Sequence, residues 1–175
     1  MRAVGTSCEG TGLAMKHTIS ALVENRPGVL ARSASLFARR GFNIDSLAVA
    51  ETENPEVSRM ILTVTGDDRV LEQICRQLEK LVDVIKVLDH TQDATVEREL
   101  CLVKVKVTRR TRAEVIQVAN IFRGEIVDVG NGTVIIEITG DTDKIDAFTA
   151  LMSDYGIEEL VRTGKVVLAR GHQAT

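Results

Sequence analysis

"ALVENRPGVLARSASLFARRGFNIDSLAVAETENPEVSRMILTVTGD", residues 21–67, changes its hydrophobic period several times, and the order of those changes decides the fold. Before this stretch, from Lys16, and on to Val23, the chain alternates at the two-residue period of a strand, with Ile19, Ala21 and Val23 on one face. "ENRPG" breaks that pattern. From Val29 to Arg40 apolar residues recur at helical spacing: Leu30, Ala34 and Phe37 fall at i, i+4 and i+7, and Gly41 stands where a left-handed cap closes a helix. "FNIDSLAVAET" reads as a second strand, "NPE" as a turn, and "SRMILTVTGD" as a third strand with Met60, Leu62 and Val64 on one face.

Further on, Leu71, Ile74, Leu78 and Leu81 mark the apolar stripe of a second helix, and "VDVIKVLDH" a fourth strand. The order β-α-β-β-α-β is the split ferredoxin-like arrangement. "TQDATVERE" is polar and turn-like, and after it the order repeats. "ELCLVKVKVT" is a strand with Cys101, Val103, Val105 and Val107 inward; "RAEVIQVANIFRG" is a helix; two strands flank the Gly130-Asn131-Gly132 turn; "DTDKIDAFTALMSDYG" is a helix; and "IEELVRTGKVVLARG" includes a last strand. The expected architecture is α+β, two ferredoxin-like βαββαβ units in tandem. Its segments are a disordered N-terminal tail at 1–14, a first domain at 15–90, a linker at 91–98 and a C-terminal domain at 99–173.

The 175 residues are 44% hydrophobic, enough for real cores. A net charge of −3 provides no basic field for nucleic acid or an anionic membrane, and no apolar run reaches the roughly 20 residues that cross a bilayer. Residues 1–14 lack the apolar core of a secretory signal, so the expected compartment is the cytoplasm. Cys8, Cys75 and Cys101 form no C-x-x-C pair, and His17, His90 and His172 share no metal-ligand spacing. Aromatics make up 3% of the chain, which argues against strands that stack bases. No set of nucleophile, base and orienter is visible either, so an enzyme would have to be argued from residues that the sequence does not show converging.

The second unit acts as a control for the first. "ENRPGVL" corresponds to "TRRTRAEVI", and "RRGFNID" to "FRGEIVD", so only the first unit carries Asn25, Gly28 and Asn43. A helix N-terminus offers unpaired N–H groups and a positive dipole end, and a glycine there lets a carboxylate approach the backbone. Pro27 lacks an N–H and stiffens the loop, leaving the N–H groups of Gly28, Val29 and Leu30; Asn25 can accept from an ammonium through its amide oxygen, and Asn43 adds a second amide. Together with a short apolar wall these groups suit a small α-amino acid. The plainer alternative is that Asn25 and Gly28 shape a turn and Asn43 ends the helix.

The stretch quoted first, with "QLEKLVDVIKV", "VERELCLVKVKV", "IFRGEIVDV" and "VRTGKVVLARG" in that order, resembles the small regulatory subunits of acetolactate (acetohydroxyacid) synthase from about Lys16 to Gly171. The first unit then resembles an ACT domain, the sensing version of the ferredoxin-like fold. The resemblance implies a non-catalytic chain that binds and activates a large catalytic subunit and confers feedback inhibition by valine. It implies no cofactor in this chain; thiamine diphosphate, FAD and magnesium would belong to the catalytic partner. In the family, ACT domains form a homodimer side by side with valine at the interface. Carried over position by position, Asn25, Pro27, Gly28, Val29 and Leu30 of one chain would meet Asn43 and Ile44 of the other. A free-standing ACT-domain amino-acid sensor of another pathway is the alternative.

Overall fold

A computed structural model describes residues 15–171 and Thr175. The expected tail, with Cys8, and His172 lie outside the described residues. Two sheets of the same strand permutation form the molecule. The first unit comprises β1 (Met15–Glu24), α1 (Val29–Arg40), β2 (Ile44–Glu51), β3 (Val57–Gly66), α2 (Asp68–Leu78) and β4 (Val84–Asp89), with sheet order β2-β3-β1-β4. The second comprises β5 (Thr95–Lys106), α3 (Arg112–Ile121), β6 (Glu125–Val129), β7 (Thr133–Gly140), α4 (Thr142–Ser153) and β8 (Ile157–Arg162), with order β6-β7-β5-β8. Every pairing is antiparallel. The chain is therefore two ferredoxin-like units in tandem, as the hydrophobic periods imply.

Alternation along the strands builds each core. Ile19, Ala21 and Val23 of β1 and Met60, Leu62 and Val64 of β3 are all at most 3% exposed, and they pack under α1 and α2. In the second unit Cys101, Val103, Val105 and Val107 meet Ile136, Ile145, Phe148 and Met152. Phe148 is fully buried, its ring centroid 5.5 Å from that of Phe122.

Three expectations need correction. The buried stripe of α1 is Val29, Ser33, Leu36 and Phe37, not Leu30, Ala34 and Phe37, and Leu30 is 47% exposed. Both stripes have helical spacing. The face containing Ser33 can be buried because that hydroxyl is satisfied internally, donating to the Val29 carbonyl at 3.1 Å. Residues 95–98, expected in the linker, already belong to β5, because they pair with a ninth strand, β9 (Val166–Ala169). The expected single last strand is thus two, β8 and β9, parted at Gly164.

Gly164 has φ +80°, and a Cβ there would lie 3.3 Å from Ser46 Cβ on β2. This loop brings the second unit against the outer face of the first sheet. Small residues on that face fit such a cover: Thr18, Ser20 and Thr63 are buried although they point away from the helices, and so is Val167 of β9. No helix among the described residues is long and apolar enough to cross a membrane.

Phe148→Ala should destabilise the protein by about 3–5 kcal/mol, whereas Leu151→Ala, on the exposed face of the same helix, should change stability by less than about 0.5 kcal/mol. Urea unfolding of the two variants beside wild type measures the difference.

Candidate functional site

Strand β1 runs through the middle of its sheet and stops at Glu24, next to the hairpin that joins β2 to β3. Asn25 fastens the departing loop to that hairpin. Its backbone N–H donates to Glu56 O at 2.7 Å, and its side-chain Nδ2 donates to Glu51 Oε1 at 3.0 Å and Pro55 O at 2.8 Å. Both amide hydrogens are thereby used, and Oδ1 takes no part in either bond.

Gly28 is the N-cap of α1, with φ +88° and no side-chain cap. The glycine thus has a conformational reason of its own, since left-handed backbone disfavours residues with a Cβ. In the second unit Thr111 occupies the cap with φ −87°, and a glycine is not needed. Of the three N–H groups expected to be free, that of Val29 points to Arg26 O at 3.4 Å, a long contact. The Arg32 N–H donates to Gly28 O at 3.0 Å and starts the helical ladder.

Beneath this loop lies a cleft of about 80 Å³, walled by Val23, Val29, Leu30, Val49 and Met60 and by the polar Glu24, Asn25, Arg26 and Ser58. It opens toward β2, an edge strand of the sheet. Its floor is dry: Val23, Val29 and Met60 are at most 5% exposed. Its rim is not, because Leu30 is 47% and Val49 43% exposed. Val23, Val49 and Met60 escape a reading of sequence because only the register Ala21↔Met60↔Val49 puts these strands together at the end of α1.

Asn43 and Ile44 lie at the opposite end of the same edge. Ile44 and Val49 are five positions apart along the strand, roughly 17 Å. Asn43 Nδ2 donates to Asp45 Oδ1 at 3.2 Å, and Asp45 Oδ2 accepts from Thr65 Oγ1 at 2.6 Å. Within one chain the structure gathers Asn25, Val29 and Leu30 at one cleft, beside Pro27 and Gly28, and leaves Asn43 and Ile44 apart from them.

Two larger depressions separate the units. A polar cleft of about 380 Å³ holds Glu99, Asp146 and Arg162. The guanidinium donates to both Glu99 oxygens at 2.7 Å and to Asp146 Oδ1 at 2.6 Å. These bonds, with Glu99 first, hold the Arg162 pKa above its ordinary value. The triad satisfies itself and locks β5, α4 and β8 together. A second groove, about 580 Å³, runs between Ala48, Ala50 and Ile61 on one side and Val166 and Leu168 on the other.

His17 and His90 are buried and serve the connection between units. His17 Nε2 donates to Gly66 O at 3.1 Å. His90 bridges Asp93 Oδ2, 2.9 Å from Nδ1, and Ser20 Oγ, 3.0 Å from Nε2. This hydroxyl, imidazole and carboxylate assemble from positions 20, 90 and 93, too scattered to recognise in the sequence. Ser20 is 2% exposed in mid-strand, so the set ties the connection after β4 to β1 rather than meeting a substrate. Burial pushes the Cys75 thiol up to about 11 and raises Cys101 as well, which keeps both as thiols at neutral pH. Among the described residues no group of three or more His, Cys, Asp or Glu side chains could hold a metal ion.

The model of the small subunit of acetolactate synthase matches residues 98–171, and that of the AHAS small subunit-like ACT domain matches residues 19–86. The chain is 56% identical over 159 residues to the probable acetolactate synthase small subunit of Archaeoglobus fulgidus, covering 91% of this chain and 99% of that one. It is 48% identical to the acetolactate synthase small subunit of Mycolicibacterium smegmatis, covering 89% and 92% respectively. The crystal structure of the Thermotoga maritima acetolactate synthase small subunit superposes with a TM-score of 0.81 at 44% identity, covering 91% of this chain and 99% of that one.

Arg162→Leu strands the buried Glu99 carboxylate and should cost about 3 kcal/mol, toward the lower end for breaking a buried pair because Arg162 keeps some contact with water. Adding Glu99→Leu to the same chain should recover most of that loss, and chemical denaturation of single and double variants decides it.

Proposed function

Because this chain belongs to the acetolactate synthase small-subunit family, we propose that it binds the large catalytic subunit, raises its activity and makes it inhibitable by valine. In this reading the chain is the regulatory partner in branched-chain amino-acid synthesis, acts in the cytoplasm and holds no cofactor. Thiamine diphosphate, FAD and magnesium reside in the catalytic subunit.

The observation that carries the reading is the half-built cleft on the free edge of β2. Its floor is largely apolar, its rim exposes Leu30 and Val49, and its polar groups are Glu24, Asn25, Arg26 and Ser58, beside the N-terminal end of α1. A two-fold axis beside that edge would pair β2 with the partner's β2 in antiparallel fashion. Such pairing sets the partner's Ile44 end alongside this chain's Glu51 end. Asn43 and Ile44 of one protomer would then close the cleft of the other, and each dimer would hold two equivalent sites. The α-carboxylate takes the N–H groups at the start of α1, where backbone donors and the dipole favour an anion. Oδ1 of Asn25 and the amide of the partner's Asn43 take the remaining polar groups, and the aliphatic side chain enters the floor.

Inhibition follows by linkage. Valine shifts the holoenzyme toward its inactive arrangement only by the ratio of its affinities for the two arrangements. At a dimer interface it also tightens ACT pairing by mass action.

Calorimetric titration of the full chain should give saturable binding of valine. Asn43→Ala should weaken it at least about tenfold, the loss expected when a polar partner is removed from a ligand. Gly28→Asp, strained at φ +88° with its Cβ 2.9 Å from Arg32 Nη1 but placing a carboxylate where the ligand's would bind, should do the same in protein that circular dichroism shows to be folded. In holoenzyme reconstituted with the catalytic subunit, both variants should still activate but resist valine. Undiminished binding in Asn43→Ala, or loss of activation in both variants, would refute a site at the dimer edge with a role separate from activation.

A further inference from the structure

Beside the free edge of β2, the outer face of the first sheet carries an unfinished surface of its own. The groove of about 580 Å³ there has a floor of Ala48, Ala50 and Ile61 and a wall of Val166 and Leu168, which are 55% and 59% exposed. Its polar lining is Glu51, Thr52, Glu53, Arg59 and Thr163. The lining draws on β2, β3 and β9 but on no residue of β5, so β9 is the strand of the β5–β9 ribbon that lies nearer the edge. No further strand among the described residues pairs with β9. The groove therefore faces the same side as the open edge of β2.

Arg59 is the charge in this groove that has no partner. It stands half-buried on β3 beside Ala50, and its Nε is shut off from solvent with no acceptor. Among the described residues no ion pair includes it. Glu51, on the neighbouring strand, is engaged elsewhere, its Oε1 accepting from Asn25. A partly buried guanidinium without a carboxylate is costly, and it is relieved when an acid is brought to it.

Resting on the reading of β2 as the edge that pairs with a second copy, we infer that this groove is the outer half of the same interface and that Arg59 takes the carboxylate of the partner's Asp45. Antiparallel pairing that sets the partner's Ile44 beside Glu51 sets the partner's Asp45 beside Ala50. Ala50 in turn neighbours Arg59. Two strand spacings, about 10 Å, separate Arg59 from that aspartate, and the two side chains meet above the methyl group of Ala50. Asp45 faces the required side: its Oδ2 accepts from Thr65 Oγ1 on β3, and it lines the polar cleft on the same outer face. Each of its oxygens accepts one bond within its own chain and keeps a lone pair for an arginine. The two-fold axis makes two such pairs in each dimer and brings Val166 and Leu168 of both chains toward one another above Ala48 and Ala50. A slip along the edge removes Asp45 from reach, so the ion pairs fix the register that carries Asn43 to the neighbouring cleft.

Sedimentation velocity of the full chain over a concentration series measures the dimer dissociation constant of wild type, Arg59→Glu, Asp45→Arg and the double variant in which the two charges are exchanged. Each single variant sets like charges against one another and should raise the constant at least about tenfold, with a larger effect at low salt. The double variant restores opposite charges and should return to within about threefold of wild type. Should a reversed variant fail to fold by circular dichroism, Arg59→Gln, Asp45→Asn and their combination replace the set, and the combination should be no weaker a dimer than the worse single variant. A wild-type dimer whose constant no single variant moves by more than about twofold, or whose losses multiply in the double variant, would overturn the inference and leave the edge pairing standing. A wild-type chain that stays monomeric throughout would overturn the edge pairing and the inference together.

Discussion

The unpaired edge of β2 is the constraint on which the first unit turns. In the order β2-β3-β1-β4 the strand that enters the helix α1 is central, so its loop emerges inside the sheet and must cross β3 to reach β2. Asn25 makes that crossing rigid through two side-chain hydrogen bonds to the β2–β3 hairpin. The helix then starts over the strand ends and leaves a narrow opening toward the edge. An exposed strand edge ordinarily invites pairing with another chain, and proteins blunt such edges when pairing is unwanted. Here β2 carries Ala48, Val49 and Ala50 in succession near the opening, with no proline and no lysine anywhere along it.

Comparison of the two units separates what the fold needs from what the site needs. Both have the same strand order, and both pack two helices on one face. Their helix entrances differ: α3 begins at Thr111 with right-handed backbone, α1 at Gly28 with left-handed backbone. Since the fold accepts either, Gly28 reflects the local path of the chain after Pro27. That path leaves the α1 cap without a side-chain oxygen. A capping serine or aspartate would occupy the very N–H groups that a ligand carboxylate requires.

Element order was legible in the sequence because strand and helix periods differ and because glycine, proline and polar clusters punctuate each change. Faces were less legible. Val29, Ser33, Leu36 and Phe37 lost to Leu30, Ala34 and Phe37 on hydrophobicity alone, since a serine counts against a core stripe until its own helix satisfies its hydroxyl. The start of β5 looked like a linker because Thr95, Glu97 and Arg98 are polar; their pairing with β9 is a contact about 70 residues away along the chain. At the site, Asn25, Pro27 and Gly28 stood out through local chemistry and the contrast with the second unit. Val49 and Met60 did not, because nothing local marks them: they reach the cleft only through strand register.

Were the cleft divided between two protomers, as proposed, it would also have a thermodynamic consequence that a cleft within one fold lacks. In the proposed dimer its polar rim would be incomplete in each chain, so ligand affinity would depend on the pairing of edges, and the stability of that pairing would depend on ligand by the same coupling free energy. The covered outer face of the first sheet gives that coupling somewhere to go. Gly164 leaves room for only a close backbone contact with Ser46, two residues beyond Ile44 on the edge strand itself. The residues before Gly164 run back through Arg162 to the buried Glu99 and to Asp146 on α4. An edge strand clamped on its outer face by the second unit could not shift against the proposed partner without loading that contact, so ligand binding at the edge, as proposed, and the position of the second unit would be parts of one mechanical problem.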